Sequence, residues 1–203
     1  MDKDVYDRFA KNYDARWARF SEITIAQALA HFSTNLSHKT VLDIGCGTGT
    51  LIEKLLKEHP EIGSVTGIDV SRSMMQQAEK KLKGNRKVKL IHQTGKTINL
   101  PAQSFDIVVS TNTFHYFINP RAKLQEMKQL IKNNGLLILE DYSKDSLLVK
   151  WFEWIIRFYD SWHQKAYTLE EAEQMVSHAG FTILQVAQFP IDVFWKGWVI
   201  QAR

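Results

Sequence analysis

A single cysteine, Cys46, in 203 residues excludes an internal disulfide and every thiolate-rich zinc arrangement. A chain this poor in thiols fits a reducing, cytoplasmic setting. Only 4 prolines and 10 glycines exclude collagen-like and low-complexity architectures. Nowhere do about 18 apolar residues run together, so no membrane span is expected. Met1 opens onto DKDVYDRFAKNYD, a charged stretch without the apolar core of a signal peptide. The charge excess is small, +4, and concentrates in Lys80, Lys81, Lys83, Arg86, Lys87 and Lys89. These read as the solvated end of a helix, where cations complement the dipole, rather than as a nucleic-acid surface. What remains is an ordinary globular composition, 44% hydrophobic and 24% charged. Its length fits one domain able to bury about 70% of its unfolded surface.

Beyond residue 37, short β-branched runs alternate with helical periodicity, the pattern of a parallel α/β sheet. The expected strands are Thr40 to Ile44, Ser64 to Val70, Val88 to His92, Phe105 to Ser110 and Leu136 to Asp141, all of the continuous apolar kind that is buried on both faces. Two more follow, from Phe181 and from Gly197. Leu51, Ile52, Leu55 and Leu56 keep helical spacing, as do Leu124, Met127, Leu130 and Ile131. Thr168-Leu169-Glu170-Glu171 reads as a capping box, opening a helix that closes at Gly180.

The most informative string is VLDIGCGTG, Val41 to Gly49, between a buried strand and an amphipathic helix. Its glycines let the backbone turn sharply and let a ligand lie against peptide N–H groups at a helix N-terminus. The nicotinamide fingerprint would require glycine at position 50, which is Thr50, and a Walker loop would require Gly-Lys-Ser/Thr. Twenty-four residues after Gly45, the second strand ends at Asp69, where a carboxylate can accept both ribose hydroxyls of a nucleoside.

Together with YDRFAKNYDARW, GIDVSRSMMQQA, LPAQSFDIVVSTNTFHYF, LQEMKQLIKNNGLLILED and YTLEEAEQMVSHAGF, this string resembles the class I S-adenosylmethionine-dependent methyltransferases over almost the whole chain. Within that class it is similar to the small-molecule group that includes quinone and lipid methyltransferases. The resemblance implies a Rossmann-like, doubly wound α/β sheet of seven strands in the order 3-2-1-4-5-7-6, with the last strand antiparallel. It also implies one domain over 1–203: an N-terminal helical cap (1–37), a cofactor-binding core (38–141), an aromatic substrate cap (142–167) and a C-terminal helix with a strand pair (168–203).

Carried over residue by residue, it places Asp43, Gly45, Cys46 and Gly47 at the methionine end of S-adenosylmethionine and Asp69 on the ribose. Val70 and Met74 cover the adenine, the Ser110 backbone takes the cofactor's amino group, and Tyr13 closes over it. One position departs from the family: Lys96 stands where an acidic side chain usually accepts the adenine amino group, leaving the backbone of Gly95, Lys96 and Thr97 to meet that edge. The fourth strand reads STNTFHYF rather than Asn-Pro-Pro-Tyr, which sets aside DNA and release-factor methylation.

Methyl transfer from a sulfonium needs alignment and exclusion of water more than a triad. An acceptor that must lose a proton needs a base, and His115 and Asp141, both expected at the carboxyl edge of the sheet, are the candidates, with His163 as a third. The acceptor is expected to be small and apolar or aromatic. A non-catalytic protein that binds the cofactor or its product as a regulatory ligand would share the same motifs, and turnover tells the two apart. Between residues 145 and 164 lie three of the six tryptophans, on a segment whose apolar arc spans roughly 200°, about twice what packing on one core requires. That surplus is expected to bury against the N-terminal helices or to lid an apolar acceptor pocket. Contact with a membrane surface or a second subunit would use it as well.

Overall fold

The computed structural model describes residues 10–32, 35–94, 97–145 and 164–203. Its centre is one seven-stranded sheet in the order β3-β2-β1-β4-β5-β7-β6. The strands are β1 (Thr40–Ile44), β2 (Ser64–Asp69), β3 (Val88–His92), β4 (Phe105–Thr111), β5 (Ile131–Tyr142), β6 (Ile183–Pro190) and β7 (Lys196–Ala202). The first five pair in parallel, and β7 runs antiparallel to both β5 and β6. A strand-to-parallel-strand connection needs a crossover, and helices supply it from β1 to β2, from β2 to β3 and from β4 to β5. The helices are α1 (Tyr13–Arg16), α2 (Ala18–Leu29), α3 (Thr50–Glu58), α4 (Arg72–Lys81), α5 (Pro120–Leu130) and α6 (Leu169–His178).

Alternation along β1 divides the core. Val41 packs with Ile25, Ala28 and Leu29 of α2 and with Leu51, Ile52 and Leu55 of α3. Leu42 and Ile44 point to the other face, among Leu124 and Met127 of α5 and Met175 and Val176 of α6. Asp43 therefore shares the face of Val41, under α2, without breaking the apolar pattern of either layer. The helix starts follow local chemistry: the Ser71 side chain accepts from the Met74 N–H, Asn119 accepts from the Ala122 N–H with Pro120 behind it, and Thr168 and Glu171 form the expected capping box.

Two expectations are corrected. Ile131 opens β5, opposite Phe105, instead of closing α5. Asn134 adopts a left-handed φ of 65°, and a side chain at Gly135 would collide with Ile131 and the Asp106 carbonyl, so the chain leaves the helix before this turn. β3 is not buried on both faces: it is the sheet's edge, with Lys89 and His92 exposed.

Candidate active site

The loop from β1 to α3 turns on left-handed glycines at 45, 47 and 49. Two of them have distinct reasons. A side chain on Gly45, at φ 76°, would run into the Thr113 side chain, so glycine permits the β1 and β4 ends to meet. Gly47, at φ 53°, faces open space, a cradle that a side chain would fill. Beside it lies a cavity of about 70 Å³ walled by Tyr13 of α1, Ser21 and Ile25 of α2, Asp43 of β1 and the Thr111–Thr113 stretch of β4.

Asp43 is the anomaly in this wall. It is 1% exposed, and neither carboxylate oxygen has a hydrogen-bond partner among the described residues. Burial, then the nearby charge of Asp69, pushes its carboxyl up from 3.8 to about 8, so without a ligand it is held mainly neutral at pH 7. An orphaned buried acid is costly unless a cation comes to it. Asp69, at the end of β2, accepts from the backbone N–H groups of Gly47 and Ser71, each at 2.8 Å, and so ties the glycine loop to α4. Cys46 is buried with its Sγ 3.8 Å from the Met75 sulfur, and burial raises its thiol well above the ordinary range. It fills space here and offers no nucleophile.

Immediately past the cavity wall, a 3-10 turn (Phe114–Tyr116) brings His115 onto Asp141. The ring Nδ1 lies 2.8 Å from Asp141 Oδ1, and the same carboxylate accepts from the backbone N–H groups of His115 and Tyr142. Two candidates read separately in the sequence are thus one buried pair, 5% and 1% exposed. The His115 ring lies 3.9 Å from Tyr116 and 4.8 Å from Tyr142. Tyr142, Trp195, Phe20 and Trp17 continue an edge-to-face row up to the N-terminal helices.

A family model described as a methyltransferase domain matches residues 13–186. The chain belongs to this methyltransferase family. Among relatives, it is 30% identical to a malonyl-[acyl-carrier protein] O-methyltransferase of Priestia megaterium over 142 residues, 69% of this chain and 50% of that one. The chain spans 40% to 50% of the length of the first such relatives it matches. The fold is shared with the YcgJ protein of Bacillus subtilis, at TM-score 0.75 and 19% identity over 89% of this chain and 97% of that one. It is also shared with a chain of the Haloferax volcanii complex between the Trm112 methyltransferase activator and a methyltransferase, at TM-score 0.83 and 19% identity over 100% and 98%.

S-adenosylmethionine, the cofactor that the resemblance implies, fits the chemistry of the cavity: an unpartnered carboxyl for a cationic group, and a side-chain-free cradle at Gly47. Asp43, Gly45, Cys46, Gly47 and Tyr13, which the resemblance assigns to the cofactor, all line this cavity. Its β4 wall begins at Thr111, one residue beyond Ser110, whose hydroxyl is spent on the Ile44 carbonyl. Val70 is 52% exposed at the end of β2, and Met74 is buried in the first turn of α4; neither reaches the cavity wall. Thr97 is exposed, with its carbonyl accepting from Gln93. Gly95, Lys96, His163 and the aromatic segment 146–163 lie outside the described residues.

Sequence reasoning missed one residue of the cavity wall and one buried acid behind it. Asn112, at a left-handed φ of 50°, lines the cavity and donates from its side chain to Thr24. Glu140, fully buried, receives the Asn112 N–H on one oxygen while its other oxygen has no partner, and burial followed by the charge of Asp141 raises its carboxyl well above the usual range. An acid inside the apolar run LLILED was the signal available for Glu140.

Proposed function

We propose that this chain transfers the methyl group of S-adenosylmethionine to a small acceptor with an apolar or aromatic body, quinol-, phenol- or lipid-like, whose hydroxyl gives its proton to His115. The observation that carries this reading is the buried His115–Asp141 pair two residues beyond the cavity wall. The cofactor supplies a methyl group on a positively charged sulfur, already activated for displacement. Asp43, Gly45, Cys46 and Gly47 hold its methionine end. The orphaned carboxyl of Asp43 ionises against the incoming ammonium, and Asp69 turns to the ribose hydroxyls. Ser110 to Thr113 offer backbone groups on the β4 side, while Val70, Met74 and the stretch around Gly95, Lys96 and Thr97 take the adenine end.

On the acceptor side, Asp141 fixes which ring nitrogen of His115 faces the carboxylate, so proton exchange with the acceptor falls to Nε2. The Tyr142–Trp195–Phe20 row supplies an apolar wall that excludes water and favours a dispersed positive charge. The relatives' name supports a second reading, O-methylation of a malonyl group on a carrier protein. An ionised carboxylate needs no base, so the pair distinguishes the two. The test is a turnover screen with quinols, phenols and malonyl thioesters, comparing wild type with His115→Gln. A fall in kcat of about 10²-fold or more with a hydroxyl acceptor, at unchanged cofactor affinity, supports the first reading. Turnover of a malonyl thioester alone, indifferent to the substitution, supports the second.

A further inference from the structure

The basic cluster at the end of α4 is not uniformly solvated: the Lys81 side chain is 17% exposed and reaches α1, 67 residues away in sequence. Its Nζ lies 2.7 Å from Asp14 Oδ2, 2.7 Å from Thr50 Oγ1 and 3.3 Å from Thr48 Oγ1. Asp14 Oδ1 in turn accepts from the Thr48 hydroxyl at 2.5 Å and the Thr50 hydroxyl at 3.4 Å. One lysine and one aspartate thereby tie the N-terminal helix, the glycine loop and α4 together. Thr48, Thr50 and Tyr13, the neighbour of Asp14, all belong to the cavity wall.

The cavity behind this tie holds about 70 Å³. Tyr13, the neighbour of Asp14, stands in this wall, so α1 borders the route by which the methionine end of the cofactor enters or leaves. α1 is a single turn, separated from α2 by Trp17, whose φ of −106° and ψ of 14° interrupt the helix. Asp14 fastens α1 to the glycine loop through Thr48 and Thr50 and to α4 through Lys81, so these contacts help to keep Tyr13 in the cavity wall.

We propose that Asp14 and Lys81 are positioning residues that latch α1 over the glycine loop and set the rate at which cofactor and product exchange. The proposal rests on the reading of this cavity as the cofactor site. Breaking the latch accelerates both entry and release, so the rates change more than the equilibrium affinity does. A tie with only a structural role would lower the melting temperature and leave the rates alone.

Stopped-flow displacement of S-adenosylhomocysteine tests this in wild type, Asp14→Ala, Lys81→Met and the reversed pair D14K/K81D. Each single variant is expected to release the probe roughly fivefold to tenfold faster, as loss of a charge-assisted contact implies, with the reversed pair returning most of the way. Wild-type release should also quicken with added salt, because the pair sits near solvent and is screened. That measurement needs no variant and stands if one fails to fold. Release within about twofold of wild type in both single variants, or no salt dependence in wild type, overturns the latch. Wild type that binds no S-adenosylhomocysteine overturns the cofactor reading itself.

Discussion

Asp43 concentrates the chemistry of the site in one side chain. Its folded pKa, about 8, lies above its ordinary value of 3.8, so the folded state keeps a proton that the unfolded chain gives up. The stability this contributes is fully present below pH 3.8 and is lost as pH rises toward 8. Asp43→Asn removes that dependence. The unliganded variant should therefore melt above wild type at pH 8.5, by an amount worth up to a few kcal/mol, with the gap closing toward pH 5. Its affinity for S-adenosylmethionine should fall at the same time, and calorimetric titration beside the melting curves reads both. The two glycines differ in the same concrete way. Gly47→Ala is expected to fold and to bind cofactor at least tenfold more weakly, because the added methyl projects into the cradle. Gly45→Ala collides with Thr113, and a lowered melting temperature without cofactor is the expected result.

Elements carry a different kind of prediction, because their ends are set by single hydrogen bonds. Thr168 caps α6 reciprocally with Glu171, and Thr168→Ala should destabilise the protein by about 1 kcal/mol in urea unfolding with turnover per folded molecule unchanged. This cap, the glycine loop and the carboxylate at the end of β2 were legible in the sequence because each is a local pattern whose residue types have few other uses. The strand order followed from the family resemblance rather than from the strands themselves. The length of β5 was hidden because Asn133 and Asn134 look like a loop until Phe105 pairs across from Ile131. Lys81 was read with its basic neighbours, since nothing local distinguishes a lysine that reaches Asp14 from one that reaches water. The union of His115 with Asp141 was hidden for a related reason: it depends on the 3-10 turn after β4 meeting the end of β5.

At the scale of the molecule, two apolar layers enclose the sheet, and the proposed cofactor site lies at its carboxyl edge, where both β1 and β4 end. Ligand that binds only the folded state adds stability by mass action, about 2.7 kcal/mol at a hundredfold excess over Kd. In a domain of this size that corresponds to a rise of roughly 5 to 10 °C, which a thermal-shift titration with S-adenosylhomocysteine would read. The site also contains its own reporter. Cys46 is the sole thiol of the chain, and it is packed against Met75 inside the glycine loop, where its proton is held tightly. A thiol-specific reagent can reach it only when that loop breathes, so the rate of labelling is a stopwatch on local opening that needs no engineered probe, and the whole population carries it at one known position.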